Sequence, residues 1–204
     1  MDVCAKLRGL FHEKRIGHAG TLDPMATGVL PVFVGRATRA VEFASEGDKE
    51  YLAGLRLGTV TDTQDTSGRV LEEHPVSVTR EELEAALAPF RGEIQQLPPM
   101  YSAIKVNGKK LYELARKGRE VERKPRAITI HSLVVEGQES ATDFLIRVRC
   151  SKGTYVRTLC HDIGQALGCG GTMYSLRRTM AAGFTLEDAL PLEQVLQSED
   201  PASL

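Results

Sequence analysis

The sequence predicts one α/β or α+β domain built around a mixed, largely antiparallel sheet. In Asp143–Cys150 apolar and polar residues alternate, as in a strand with one buried face. Between Val156 and Leu167 apolar residues recur at helical spacing instead. Asn107-Gly108 is typical of a tight turn between two adjacent chain segments. Strands, helices and a short hairpin turn within 204 residues favour this fold class.

The first half of the chain is expected to combine short helices with strands. Asp2 can cap a helix whose apolar residues, beginning at Val3 and reaching Phe11, share one face. Pro31 cannot donate to a sheet ladder, so a strand around it is expected to be irregular or at an edge. The later elements predicted for this half are a strand at 29–34, a short helix at 36–44, a strand at 51–57 and a polar loop at 58–68.

The second half carries clearer boundary signals. Thr79 and Glu82 form a capping box that opens a helix, and Gly92 is expected to end it. A basic helix is predicted from Lys110 until Gly118. The remaining predicted elements are strands at 127–136 and 143–150, a helix at 156–167 and a strand at 172–182.

The composition is that of an ordinary globular protein, with 42% hydrophobic and 26% charged residues. No apolar stretch is long enough to cross a bilayer, and the chain does not open with a signal-peptide pattern. We therefore expect a cytoplasmic protein without membrane contact. The four cysteines are too sparse for a disulfide framework and are expected to be reduced thiols. Cys160-His161 with Cys169 follows no common zinc spacing, so no metal site is expected.

The net charge of −1 excludes any argument for nucleic-acid binding from overall basicity. The distribution is more informative, because the chain from Thr185 onward holds five acidic residues and no Lys or Arg. The remainder then carries +4, with 26 basic against 22 acidic residues. Residues 105–126 alone hold nine basic and three acidic residues, an excess that could contact phosphates. A solvated helix face is the alternative, and the charges alone favour it.

The stretch Gly17–Gly28 is the best candidate for a functional loop. It contains three glycines, one histidine, one proline and one carboxylate. Pro24 disfavours helical backbone at Asp23, so the carboxylate is expected to project from a loop. Loops held by a rigid scaffold often carry catalytic groups. An ordinary structural turn is the alternative, and the local features leave both open.

Several separate stretches of the chain form one extended pattern. The longest runs from Arg15 to Pro31 and includes Gly20-Thr21-Leu22-Asp23-Pro24. The others are Gly35–Arg39, Lys49–Tyr51, Thr61–Asp65, Pro99–Lys105, Gly108–Tyr112, Cys150–Leu159 and Leu176–Arg178. Together they resemble the TruB family of bacterial tRNA pseudouridine synthases. The similarity extends from roughly Val3 to Leu196, in order and with plausible spacing, which is far more specific than one short motif.

The resemblance implies an α+β pseudouridine synthase fold, with helices flanking a mixed, mostly antiparallel sheet. It also implies an enzyme that isomerises a uridine in the T loop of tRNA, at position 55, to pseudouridine. The family uses one essential aspartate and no metal or organic cofactor, and Asp23 matches that aspartate. Arg157 matches the arginine that pairs with it, and Tyr51 matches the aromatic that stacks on the target base. A carboxylate is ionised at neutral pH and can act as nucleophile or base; the residues leave that choice open.

The target base is buried in a folded RNA loop and must be turned out before it can react. By resemblance, His18 fills the vacated space; a histidine bonded to its own loop is the alternative. Asp65 matches a position near the RNA in relatives. Tyr155 and Leu176 match positions that line the pocket, and could equally be packing residues. The lysines of the basic segment expected to contact phosphates are Lys105, Lys109 and Lys110.

The chain departs from the family pattern at both ends. Nothing in it matches the strand with a Lys-Pro-x-Gly stretch with which family members begin, or the small RNA-binding domain that ends many bacterial relatives. We expect a catalytic domain over residues 1–185 without that N-terminal strand, and a C-terminal helix with an acidic tail over 186–204. The expected partner is tRNA, bound through its T arm, and the expected oligomeric state is a monomer.

Two other functions stay open. A non-catalytic RNA-binding or RNA-folding protein on the same scaffold would keep the basic surface and the stacking residues without turnover. A small-molecule hydrolase using Asp23 and His18 has little support, because the sequence contains no Ser-His-Asp, P-loop or metal pattern.

Overall fold

The computed structural model describes residues 2–106 and 108–203, which form six α-helices and thirteen β-strands. They divide into two units, one made of the chain up to Tyr51 and from Arg177 onward, the other of Leu52–Leu176. The sheets are mixed and mostly antiparallel, and helices accompany the strands in both units. The predicted fold class is confirmed.

The first unit opens with helix α1 (Val3–Phe11), which Asp2 caps by accepting a hydrogen bond from Ala5 N at 3.0 Å. This confirms the predicted cap. Its core is a cluster around Cys4, Leu7 and Ile16. The other elements of this unit are β1 (Ile16–His18), β2 (Thr27–Gly28), β3 (Val32–Val34), α2 (Val41–Glu46), β13 (Phe184–Thr185), α6 (Leu192–Gln197) and the 3-10 helices Gly35–Ala40 and Pro201–Ser203.

The predicted strand at 29–34 is interrupted in the structure. Strand β3 holds only its last three residues, and it pairs antiparallel with β1. Strand β2 lies just before the interruption and pairs parallel with strand β12 (Gly171–Ala181) at Arg177 and Arg178. Pro31 falls in the gap between β2 and β3, as its missing N–H predicts.

In the second unit β11 (Asp143–Cys150), β10 (Arg126–Gln138) and β7 (Gly92–Gln96) are neighbours in the largest sheet, which has seven strands and includes β4 (Lys49–Leu57) and β12. Strand β10 pairs antiparallel with both β11 and β7. The alternation predicted for β11 is confirmed, because Phe144, Ile146, Val148 and Cys150 are buried.

Helix α5 (Val156–Ala166) packs closely against the beginning of β12. A Cβ on Gly164 would lie 2.1 Å from the backbone N of Gly171, so only glycine permits this approach. The remaining elements of the unit are β5 (Thr59–Thr61), β6 (Val70–Glu73), α3 (Arg80–Ala86), β8 (Lys105–Val106), β9 (Lys109–Lys110) and α4 (Leu111–Ala115).

Three expectations for this unit are corrected. The stretch 58–68 is not wholly a loop, because β5 lies in it and pairs antiparallel with β6. The capping box at Thr79 and Glu82 is present, but its helix ends at Ala86 and a 3-10 turn follows. Gly92 then begins β7, a strand that the sequence analysis did not predict. Strand β7 was missed because its residues are mostly polar and its partner β10 is distant in sequence, whereas β5 is a three-residue strand that pairs with the next strand, β6.

The predicted hairpin turn at Asn107-Gly108 falls partly outside the described residues, since Asn107 is not among them. Strands β8 and β9 on either side pair antiparallel, with Lys105 opposite Lys110 and Val106 opposite Lys109. The basic helix is shorter than predicted: Lys110 is its N-cap and α4 ends at Ala115. The predicted division of the chain at residues 185 and 186 stays a prediction.

Candidate active site

The loop carrying Asp23 connects β1 to β2 and is closed by main-chain hydrogen bonds. Ala19 N donates to Pro31 O at 3.0 Å, beside the last β1–β3 pair, His18 and Val32. Within the loop Ala26 N donates to Asp23 O at 2.9 Å. Asp23 is therefore the first residue of a tight turn with proline second, the favoured position for proline in type I and II turns. Asp23 lies on this turn half-buried.

His18 is the last residue of β1 and is half-buried. Its Nδ1 is buried and has no hydrogen-bond partner among the described residues. Tyr51 lies on β4 in the same unit and is also half-buried. The first unit thus holds three predicted site residues, Asp23, His18 and Tyr51.

The second unit holds Arg157 in the first turn of α5, where its side chain is buried. Only 7% of Arg157 is exposed, although its side chain carries a charge. Nη1 donates to Thr63 O at 3.3 Å and Nη2 donates to Tyr101 O at 2.9 Å. Nη1 also lies 3.7 Å from Asp65 Oδ2. These bonds fix the guanidinium plane at several points.

Asp65 is as deeply buried as Arg157, with 6% exposure. Its Oδ1 accepts hydrogen bonds from Thr63 Oγ1 at 2.8 Å and from Ser67 N at 3.0 Å. Its main chain forms a parallel bridge with Met173. Asp65 therefore contacts groups within the protein, and its predicted position near RNA is not tested by these contacts.

Two glutamines tie the start of α5 to neighbouring segments. Gln96 is 2% exposed; its Nε2 donates to Tyr155 O at 3.0 Å, and its Oε1 accepts from Tyr155 N at 2.8 Å. Gln64 adopts a left-handed conformation with φ 64° and accepts a hydrogen bond from Thr158 Oγ1 at 2.7 Å. Together these bonds hold Tyr155 and the helix that carries Arg157. Gln96 gave no recognisable signal in the sequence.

Leu176 is buried at 7% exposure on β12 and Tyr155 is half-buried before α5. The pairing of Arg157 with Asp23, like any contact of Tyr155 or Leu176 with a base, stays a prediction.

Lys105 and Lys109 are exposed on the β8–β9 hairpin, and Lys110 is half-buried. The ring centroid of Tyr112 lies 5.5 Å from Lys110 Nζ and 5.4 Å from Arg116 Cζ, so two cations make cation–π contacts with this ring.

Further along α5, Cys160 is fully buried. Burial raises the pKa of the Cys160 thiol to about 12, so this thiol stays protonated and unreactive. Burial also raises the pKa of the Asp162 carboxyl, and the charge of the nearby His161 partly offsets this increase.

Among the described residues no cluster of three or more His, Cys, Asp or Glu could hold a metal ion. No helix in the described part of the chain is both long and apolar enough to cross a membrane.

Comparison with known protein families shows which family the chain belongs to. Residues 8–156 match the model of the TruB family pseudouridylate synthase (N terminal domain), and residues 157–201 match that of the tRNA pseudouridylate synthase B C-terminal domain. The chain belongs to the TruB family. The resemblance found in the sequence is thereby confirmed.

Relatives of this TruB-family chain are highly similar. It is 53% identical over 199 residues to tRNA pseudouridine synthase B of Heliobacterium modesticaldum, covering 96% of this chain and 65% of the relative. It is 50% identical over 200 residues to that of Clostridium kluyveri, covering 98% of this chain and 68% of the relative. The chain thus spans about two thirds of the length of these relatives.

Solved structures agree on the fold. The structure of an H/ACA RNP bound to a substrate RNA containing 2′-deoxyuridine matches with a TM-score of 0.71 and 28% identity, over 96% of this chain and 48% of that one. A Cbf5–Nop10–Gar1 complex matches with a TM-score of 0.68 and 33% identity, over 88% of this chain and 44% of that one.

Proposed function

We propose that this TruB-family chain isomerises a uridine in the T loop of tRNA, at position 55, to pseudouridine. The observation that carries the proposal is the match of two family models over residues 8–201, which includes the Asp23 turn. The relatives named tRNA pseudouridine synthase B support tRNA as substrate. On this proposal the protein acts in the cytoplasm on the T arm, and a monomer remains the expectation.

The reaction breaks the bond from uracil N1 to ribose C1′ and forms a bond from C5 to C1′. The hydrogen at C5 leaves as a proton, and N1 gains one. The rearrangement is redox-neutral, so it balances without an external oxidant or reductant. It needs a group that reacts with the sugar or the base, and a carboxylate can serve as nucleophile or base. We assign that role to Asp23, which is held on a tight turn.

The other residues of the proposed site bind and orient. We assign Arg157 to hold the Asp23 carboxylate, Tyr51 to stack on the flipped base, and His18 to occupy the space that the base leaves. Unstacking a base costs a few kcal/mol, which stacking and hydrogen bonds in a pocket offset. The Nδ1 of His18 has no hydrogen-bond partner among the described residues, which is consistent with a side chain that bonds to RNA.

The buried ion pair supports a refinement for Asp65. Its carboxylate accepts bonds from Thr63 and Ser67 and faces Arg157, so it acts on the reaction through that arginine. Tyr155 and Leu176 line the pocket in this proposal. The exposed hairpin with Lys105, Lys109 and Lys110 contacts phosphates, which adds affinity without reading sequence.

The test uses an unmodified tRNA transcript carrying tritium at uracil C5, because isomerisation releases that hydrogen to water. We expect one equivalent of tritium per tRNA that carries uridine at the target position. A transcript with cytidine at that position alone is the matched control and should release none. RNA binding without tritium release would contradict the proposal and favour the non-catalytic RNA-binding function.

A further inference from the structure

A buried arginine closes the loop that carries Asp23. The Arg178 side chain is 1% exposed, although it lies on β12 next to the exposed Arg177. Its Nε donates to Val29 O at 2.8 Å, and its Nη2 donates to Gly20 O at 2.9 Å. Gly20 and Val29 are the two ends of the segment that contains Asp23. One guanidinium therefore binds both ends of this segment.

The main chain of Arg178 binds the same segment. Val29 N donates to Arg178 O at 2.9 Å, and Gly28 pairs with Arg178 in the parallel β2–β12 register. A Cβ on Gly28 would lie 2.1 Å from Arg178 O, so a side chain cannot be accommodated there. Gly28 has φ +100°, which also requires glycine. The glycine is thus explained by contact with Arg178.

The charge of Arg178 is met by main-chain carbonyls rather than by a carboxylate in the described part of the chain. Desolvating a cation is unfavourable, and well-packed apolar residues often replace buried charges without loss of stability. A rigid, planar fork with several donors can hold two carbonyls at once, which a single flexible ammonium does poorly. These features favour a geometric role over a purely stabilising one.

We propose that Arg178 is a positioning residue for catalysis: it holds the segment from Gly20 to Val29 closed, so that Asp23 has its reactive placement before RNA binds. The inference rests on the proposed function. Arg178 does not contact the reacting atoms in this account; it acts through the loop. Its loss therefore lowers kcat for tritium release and leaves affinity for tRNA nearly unchanged.

The test compares Arg178→Lys with Arg177→Lys, the same change on the exposed neighbour. Both are assayed well below their unfolding midpoints. For Arg178→Lys we expect kcat to fall about 100-fold, the effect of a misplacement near 1 Å, with the Kd for tRNA within about threefold of wild type. Arg177→Lys should keep the wild-type kcat. A folded Arg178→Lys with kcat within about threefold of wild type, or with its loss confined to Kd, would overturn the inference.

Arg178→Gln, whose amide can reach one carbonyl at a time, replaces the lysine variant if that does not fold, with the same criteria. Wild-type amide exchange gives an independent reading without any variant. The amides of Ala26 and Val29 should be protected in the RNA-free protein, since both donate in the closed loop. Exchange at the rate of an unstructured peptide would overturn the inference. Absence of tritium release by the wild type would instead reject the proposed function.

Discussion

The guanidinium of Arg157 lies 3.7 Å from the carboxylate of Asp65, and both side chains are buried. The two residues are far apart in sequence, on α5 and on the segment after β5. Buried charges are stabilising only when their partners and hydrogen bonds are complete. Here Thr63 and Tyr101 carbonyls satisfy the arginine, while Thr63 and Ser67 satisfy the aspartate. The pair therefore fixes the start of α5 at the proposed site.

Asp65→Asn should lower both stability and activity. It removes the negative charge that faces the buried Arg157 guanidinium, and breaking a buried ion pair typically costs roughly 3–5 kcal/mol of unfolding free energy. Urea denaturation and tritium release measure the two effects. Asp62→Asn is the matched control, because Asp62 is exposed and accepts from Arg69 N, which an asparagine oxygen can also do. Wild-type stability in Asp65→Asn would show that the pair does not fix α5.

Gln96→Leu should destabilise the protein and reduce activity through Tyr155. The substitution removes the two hydrogen bonds that the Gln96 amide makes with Tyr155 N and Tyr155 O, and a typical hydrogen bond contributes about 0.5–1.5 kcal/mol. Urea denaturation measures the change in unfolding free energy. Gln95→Leu, the same change on the exposed neighbour in β7, should have little effect. Equal effects of the two changes would contradict this role of Gln96.

Asp143→Asn should have an effect that depends on pH. Paired hydrogen bonds from Arg56, at 2.8 Å each, hold the pKa of the Asp143 carboxyl below its usual range. Because the folded-state pKa is lowered, the stabilisation is present above the ordinary carboxyl pKa of about 4 and is lost as pH falls through the lowered value. The difference in unfolding free energy between wild type and variant should be constant near neutrality and shrink in acid. A difference that grows toward acid pH would contradict this.

Changing both Lys105 and Lys109 to Gln should weaken tRNA binding mainly at low salt. If each lysine contacts one phosphate, the slope of log Kd against log salt should fall by about 0.7–0.9 per residue. Filter binding over a salt series measures the slope. Lys6→Gln with Lys14→Gln changes the net charge equally at two exposed positions of the first unit. An equal loss of slope in that control would reject a specific role for the hairpin.

Local patterns predicted much of this fold. The Asp2 cap, the Thr79–Glu82 capping box and the alternation in β11 depend on residues adjacent in sequence, and all three are present. β7 was missed because its polar residues give no clear alternation and its partner β10 is distant in sequence. β5 was missed because it has only three residues, within a polar stretch. Short strands of this kind are determined by their neighbours in the sheet rather than by their own residues.

The candidate site also combines residues that the sequence indicated with contacts that it could not indicate. The resemblance to the family indicated Asp23, Arg157 and Tyr51, because each of them lies within a stretch that matches the family pattern. The contacts that hold them could not be predicted, because Arg157 meets Asp65 and Gln96 meets Tyr155 across long sequence separations. Arg178 lies within a matched stretch, yet nothing local shows that its side chain is buried against Gly20 and Val29.

The catalytic role of Asp23 is tested by single-turnover tritium release by Asp23→Asn, compared with wild type on the same tRNA. Asparagine keeps the size and the turn but cannot act as nucleophile or base at neutral pH. We predict that Asp23→Asn binds tRNA with nearly wild-type affinity and releases no tritium above background. Release by Asp23→Asn at a rate similar to wild type would show that Asp23 does not carry the chemistry.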